Sequence, residues 1–233
     1  MISIIILAHN EEAYILSIIQ ELQKQVDCTN YEIILADGKS TDNTIHIAEK
    51  HDVKVVNCRK GRAKQMNDAA LHAKGDILFF VHADMKFQKH TLATIEKTIQ
   101  AGHDGGGFAN LFDQHNAKIK RIGTWMNFRF FDNKEQSDRG IFYGDNGIFV
   151  KKKVFEALGK CKEIPIMEDY DLSVRMSKEY KTTKIKEPPI IVSARRHIKA
   201  GFLKTRFQWI VIRQLYKWGV SPTFLVKLYR DVR

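Results

Sequence analysis

Acidic and amide side chains follow the apolar runs of the first half of the chain: Asn10-Glu11 after Ile2 to Leu7, Asp37 after Ile33 to Ala36, and Asp84 after Ile77 to Val81. Two of the three have a plain structural explanation, since Asp37-Gly38 reads as a turn and Asp84 as a helix cap. If the runs are neighbouring strands, all converge on one crevice, where such an architecture would place a ligand. Between them, Gly61-Arg62-Ala63-Lys64-Gln65-Met66-Asn67 opens a helix with two cations and free backbone N–H groups. That is a place for a diphosphate, or else a solvated basic helix start. Further on, Ile166-Met167-Glu168-Asp169-Tyr170-Asp171 puts three carboxylates at a helix start, where the dipole alone would also favour them. Read for chemistry, this is the place for a general base, a role worth about 10²- to 10⁴-fold in rate. Two familiar phosphate motifs are missing. Gly38-Lys39-Ser40 looks like the end of a P-loop, but Ile33 stands where its first glycine is required, and no G-x-G-x-x-G follows the first apolar run.

These residues need elements to hold them. Ile2 to Leu7 reads as a buried strand, too short for a secretory signal before it meets His9, Asn10, Glu11 and Glu12. Ile15, Ile18, Ile19, Leu22 and Val26 follow at helical spacing. Strands at Ile33 to Ala36, Val53 to Val56 and Ile77 to Val81 alternate with a short helix over Thr44 to Lys50 and another marked by Ala63, Met66, Ala69, Ala70 and Ala73. Such alternation predicts an α/β fold: an open, mostly parallel twisted sheet flanked by helices, with ligands beyond the carboxyl ends of its strands. After about residue 100 the pattern loosens. Gly105-Gly106-Gly107 leads a short strand, Ile119, Ile122 and Met126 suggest a helix, and Gly144 to Val150 suggests a loop entering a strand. Pro188-Pro189 is expected to separate this body from a basic C-terminal segment.

With 44% hydrophobic and 28% charged residues over 233 positions, the chain has the composition of a folded domain. Its cysteines, Cys28, Cys58 and Cys161, contain no C-x-x-C pair and point to neither disulfide nor zinc. No uncharged run approaches the roughly 18 residues of a membrane span, and a cytoplasmic location is expected. The formal charge of +11 is concentrated: from Ala194 to Arg233 ten lysines and arginines face the single acid Asp231. There Leu203, Phe207, Ile210, Val211 and Trp218 share one helical arc with Arg206, Arg213 and Lys217 beside it. This amphipathic basic helix could pack on the body or lie on an anionic membrane, and both readings are open. Nucleic acid is not expected, because the body carries little of the charge and the tail's aromatics have a packing explanation.

In order and spacing, Ile2 to Glu11, Asp37-Gly38-Lys39-Ser40-Thr41-Asp42-Asn43-Thr44, the Gly61 to Asn67 helix start, Val81-His82-Ala83-Asp84 and Glu168-Asp169 resemble family 2 glycosyltransferases of the GT-A fold. Among them the chain resembles small bacterial members assigned to arsenosugar biosynthesis. The resemblance implies a nucleotide-sugar-dependent, hexosyltransferase-like enzyme acting with inversion on an unknown acceptor hydroxyl. It implies that Ala8, Asn10, Glu11, Asp37, Arg62, Lys64, Asn67, His82 and Asp84 hold the nucleotide diphosphate sugar. Asp84 is then the ligand of a divalent cation, Mn²⁺ or Mg²⁺. The family's D-x-D appears here as His82-Ala83-Asp84, so His82 either ligates, favouring Mn²⁺, or packs. Asp169 is the expected catalytic base, with Glu168 as the competitor. Gly144 and Asp145 are candidates for the acceptor side, and Arg195 and Arg196 for the phosphate site. His197 is a candidate metal ligand or merely exposed. The expected organisation is a GT-A domain over 1–193, with a nucleotide-binding half to about 100 and an acceptor half over about 101–193, followed by the amphipathic segment 194–233. An anionic membrane surface is a candidate partner through 202–230, which would make the protein peripheral at the inner face. Two other functions fit parts of the pattern, a sugar nucleotidyltransferase and a non-catalytic basic module binding a membrane surface. Against the former, His9-Asn10-Glu11-Glu12 would repel a triphosphate.

Overall fold

The computed structural model of the protein describes residues 1–113, 141–195 and 201–229, apart from the side chains of Phe202, Leu203 and Arg206. The helix expected around Ile119, Ile122 and Met126 lies outside the described residues, as do Arg196 and His197.

Strand and helix alternate from the start as β1 (Ile2–Ala8), α1 (Glu12–Gln23), β2 (Tyr31–Asp37), α2 (Thr44–Glu49), β3 (Lys54–Asn57), α3 (Arg62–His72) and β4 (Ile77–His82). There follow β5 (Met85–Lys86), α4 (Thr91–Gln100) and β6 (Gly105–Phe112). Beyond a 3₁₀ turn at Gly144–Asn146 come β7 (Ile148–Lys151), α5 (Lys152–Ala157), α6 (Glu168–Glu179), β8 (Thr182–Val192), α7 (Phe202–Lys217) and α8 (Pro222–Leu228).

β1 is buried along its whole length, and its side chains alternate between two apolar layers. Ile2, Ile4, Ile6 and Ala8 pack with Ile15, Ile18, Ile19 and Leu22 of α1 and with Leu92 and Ile95 of α4. Ile5 and Leu7 pack on the opposite face with Ala63, Met66, Ala69 and Ala70 of α3 and with Leu172 and Met176 of α6. A strand covered on both faces is why its sequence is apolar apart from Ser3, whose Oγ donates to Glu32 Oε1 at 2.6 Å.

The sheet runs β3-β2-β1-β4-β7-β6-β8-β5. Its first four strands are parallel, whereas β7 is antiparallel to both β4 and β6. β8 is parallel to β6, and β5 is antiparallel to β8. Register aligns the ends that matter: Ala8 lies opposite Asp37, and Leu7 opposite His82. Pro188-Pro189 does not separate the body from the tail. Both prolines lie within β8, where its register with β6 jumps from Phe108↔Ile185 to Asn110↔Ile190. Residues without an N–H are accommodated where the ladder is interrupted.

The C-terminal helices pack on the body through a stripe that the sequence pattern obscures. Trp209, Ile212, Leu215 and Tyr216 join Leu225, Ile166, Met167, Tyr170 and Tyr143 in a third apolar cluster. Three residues of the arc picked out by periodicity are turned to solvent instead: Phe207 and Trp218 are 69% and 72% exposed, and Ile210 is exposed with them. Among the described residues, no helix is long and apolar enough to cross a membrane.

Candidate functional site

The loops that follow β1 and β2 are laced together by short polar side chains. Asn10, in a left-handed conformation with φ 56°, donates its N–H to Ser40 Oγ at 2.9 Å, and its Oδ1 accepts from Thr41 N at 2.8 Å. The Glu11 N–H donates to Thr44 Oγ1 at 2.9 Å. Thus Ser40, Thr41 and Thr44 clamp one strand end to the next. Within that clamp Asp37 is 1% exposed. Its Oδ2 accepts from Ser40 N at 2.9 Å, while Oδ1 is buried without a partner. A buried carboxylate oxygen in this state is an acceptor awaiting a donor.

Gln65, assigned no role from sequence, is central. It is buried on α3, and its Nε2 donates to the carbonyls of Ala8 and Ala36, both at 2.8 Å, tying together the ends of β1 and β2. Ala8 therefore reaches the cleft with its carbonyl already engaged. A Cβ on Gly38 would lie 2.9 Å from Gln65 Nε2, which explains the glycine after Asp37. The signal was available in the sequence: a glutamine buried beside Ala63 and Met66 needs hydrogen-bond partners.

A pocket opens between α3, β4, the Gly144 turn and the start of α6, with Arg62, His82, Gly144, Glu168 and Asp169 on its walls. Arg62 Nε donates to Glu168 Oε1 at 2.6 Å. Glu168 is 2% exposed, and its Oε2 is buried without a partner. Burial pushes its carboxyl pKa up and the Asp169 charge adds to the rise, with Arg62 opposing. Asp169 is held differently: Oδ2 accepts from Gly144 N at 2.6 Å and Oδ1 from Tyr170 N at 2.6 Å. Backbone amides thus fix a carboxylate at the pocket wall. A Cβ on Gly144 would stand 2.6 Å from His82 Nε2 and 3.2 Å from Asp169 Oδ2, so both side chains close on this residue.

Asp84 belongs to a separate cluster at the same sheet edge. Its Oδ2 is 3.1 Å from Arg195 Nη2, which also lies 3.4 Å from both carboxylate oxygens of Glu11. The guanidinium sits 4.5 Å over the Tyr14 ring. The acidic edge is therefore satisfied by a cation, which is the requirement a divalent ion would meet. Among the described residues no three His, Cys, Asp or Glu side chains gather as a metal cage. This donor set fits an ion held by one or two carboxylates, with substrate phosphates completing its shell.

Other expected site residues are placed elsewhere. The Asn67 amide is engaged by the backbone of Cys161, whose O accepts at 2.9 Å and whose N donates at 3.0 Å. That side chain braces the loop before α6 and is not free for a diphosphate. Lys64 is half-buried on α3, and Asp145 is exposed next to Gly144. Asp171 is drawn inward to Lys162 at 2.7 Å and Arg175 at 2.6 Å, a bracing role distinct from that of Asp169. Arg213 of α7 donates to Tyr143 Oη at 3.2 Å, beside the Gly144 turn.

Residues 3–159 match the family described as Glycosyl transferase family 2. The poly(ribitol-phosphate) beta-N-acetylglucosaminyltransferase TarS of Staphylococcus aureus is 32% identical over 109 residues, 43% of this chain and 19% of TarS. The dolichyl N-acetyl-alpha-D-glucosaminyl phosphate 3-beta-D-2,3-diacetamido-2,3-dideoxy-beta-D-glucuronosyltransferase of Methanococcus voltae is 27% identical over 80% of this chain and 62% of its own length. The chain thus spans a fifth to three fifths of these relatives. Among solved structures, TarS 1-349 in complex with UDP-GlcNAc superposes with a TM-score of 0.67 at 19% identity, covering 82% of this chain and 58% of that one. The mannosyltransferase PcManGT from Pyrobaculum calidifontis, in complex with GDP-Man and Mn²⁺, gives 0.60 at 19% identity, covering 82% and 56%. The likeness identifies the fold as GT-A.

Proposed function

Because the chain belongs to glycosyl transferase family 2, we propose that it moves a sugar from a nucleotide diphosphate donor to an acceptor hydroxyl in a single displacement with inversion. Membership displaces the nucleotidyltransferase and the non-catalytic module as readings. The observation that carries the proposal is Asp169, a carboxylate fixed by two backbone amides on the wall of the pocket shared with Arg62 and His82. Asp169 takes the proton of the acceptor hydroxyl as that oxygen bonds to the anomeric carbon and the bond to the diphosphate breaks. Glu168 holds Arg62 rather than serving as the base. Arg62, through its remaining N–H groups, and Lys64 face the diphosphate. Asp37, with its unpartnered Oδ1, receives an N–H or O–H of the nucleoside, in a cleft shaped by Ala8, Asn10 and Glu11. Gly144 and Asp145 border the acceptor.

Asp84 would hold a divalent cation, Mn²⁺ or Mg²⁺, together with diphosphate oxygens. When bound, the ion neutralises the charge that develops on the leaving diphosphate. His82 lies with Asp169 on the pocket wall, which supports the packing reading for its ring over ligation. The relatives' complexes with UDP-GlcNAc and with GDP-Man and Mn²⁺ support a nucleotide sugar and a divalent ion. The test is a thermal-shift and nucleotide-release screen of UDP- and GDP-sugars with either metal. Stabilisation by at least one donor, weakened in Asp84→Ala, is expected. No shift with any donor and no effect of Asp84→Ala would sink the reading.

For the C-terminal helices the proposed partner is an anionic membrane surface, with the protein peripheral at the cytoplasmic face. Supporting this, Phe207, Ile210, Trp218 and Phe224 are exposed, and so are Lys204, Lys217 and Lys227. Each cation near such a surface contributes about 1 kcal/mol. Vesicles rich in phosphatidylserine should sediment the protein, because their negative surface potential attracts basic segments. Phe207→Glu with Trp218→Glu should abolish this, and equal pelleting of both proteins overturns the assignment.

A further inference from the structure

Arg195 occupies the place at the acidic edge where a metal ion would be wanted. It meets Asp84 at 3.1 Å and Glu11 at 3.4 Å, and Tyr14 supports its guanidinium face at 4.5 Å. The two carboxylates and the guanidinium together carry a single negative charge. A free divalent cation arriving at Asp84 would bring the three groups to a net positive charge, with the ion against a guanidinium. A diphosphate changes that balance, because it brings at least two negative charges and oxygens that match the guanidinium fork in bidentate geometry. Arg195 can then exchange its carboxylates for phosphate oxygens as the ion takes its place on Asp84.

We propose that Arg195 is the resident counter-cation of the Glu11–Asp84 pair and sets the order of ligand entry: the divalent ion is accepted as a complex with the nucleotide diphosphate and is excluded on its own. The inference rests on the glycosyltransferase reading for the identity of the diphosphate. Its core, competition between a guanidinium and a metal ion for Asp84, can be measured without any nucleotide.

The experiment titrates the full chain with Mn²⁺ alone and reads free ion by electron paramagnetic resonance, then repeats the titration with saturating UDP or GDP. Arg195→Gln should bind Mn²⁺ in the absence of nucleotide about tenfold more tightly than the unaltered chain, since one adjacent unit charge acts on a divalent ion. Arg195→Lys, which retains the charge, should stay near the unaltered value. Nucleotide should tighten Mn²⁺ binding by a larger factor in the unaltered chain than in Arg195→Gln. Tyr14→Leu provides an independent route: it removes the ring beneath the guanidinium but no charge, and should raise affinity for Mn²⁺ alone to an intermediate level. Equal or weaker binding of Mn²⁺ alone by both Arg195→Gln and Tyr14→Leu overturns the proposal. Failure of the transferase reading would instead show as an absence of UDP and GDP binding under every metal condition.

Discussion

Replacing Asp169 by asparagine preserves the side chain's shape and removes its capacity to accept a proton. In the native protein both carboxylate oxygens accept from backbone amides, Gly144 N and Tyr170 N, each at 2.6 Å. An asparagine amide can satisfy one of these N–H groups through its oxygen, but its NH₂ must then face the other. One lost hydrogen bond to a charged acceptor predicts a destabilisation of about 1.5 to 3 kcal/mol. The catalytic loss should be separate and larger, about 10²- to 10⁴-fold in kcat, because a positioned base is removed. Glu168→Gln is the matched control. Its oxygen can still accept from Arg62, and its NH₂ falls where Oε2 has no partner, so it should retain most of kcat while losing the ion pair. The assay is release of the nucleotide diphosphate from whichever donor the screen identifies, with water as the acceptor, alongside the nucleotide Kd. Asp169→Asn should leave Kd within about twofold, because lost transition-state interactions appear in kcat. Refutation would be kcat above a tenth of native in Asp169→Asn, or a greater loss in Glu168→Gln.

Gly144→Ala should abolish turnover while the protein still folds, since the added methyl would displace His82 and Asp169 at the pocket wall, and near-native kcat would contradict the close approach. Gln65→Leu should lower stability by about 2 kcal/mol in urea unfolding, as two buried carbonyls lose a donor, and should weaken nucleotide binding as the strand ends separate. Asp171 is a pH probe. Burial alone would raise its pKa, but hydrogen bonds from Lys162 and Arg175 hold the carboxyl below the ordinary aspartate value. Its contribution is therefore present above the unfolded-state pKa of about 3.9 and is lost as pH falls through the lower folded value. Asp171→Asn should lower the melting temperature at pH 7 and flatten the acid limb of stability, and parallel acid limbs in the two proteins would count against it.

The parallel half of the sheet was legible because β1 and β4 are buried on both faces, which leaves runs that are apolar but for Ser3, with polar residues at their ends. The strand-end positions of Asn10 and Asp84 follow from that, and that of Asp37 from the buried run Ile33 to Ala36 of β2. Other features depend on contacts that no local pattern encodes. Asn67 looks like part of a phosphate-facing helix start, yet its amide is matched to the backbone of Cys161, ninety-four positions away. On α7 two apolar stripes share one helix. Periodicity selects Phe207, Ile210 and Trp218, whereas Trp209, Ile212 and Tyr216 meet the body because Ile166, Met167 and Tyr170 wait there. Pro188-Pro189 reads as a break but lies where β8 slips against β6, a register visible only once both strands are paired.

The bond from Arg213 to Tyr143 means that α7 is also masonry for the pocket that carries Asp169. Tyr143 stacks on Tyr170 at 5.9 Å, Tyr170 meets Tyr216 edge-on at 5.9 Å, and Gly144 next in the chain holds Asp169. Deleting residues 201–233 to remove the proposed membrane contact would therefore strip the wall behind Asp169 and expose an aromatic cluster, and activity should fall in the absence of any lipid. Engineering aimed at solubility should leave the inward stripe intact and recolour only the outer one.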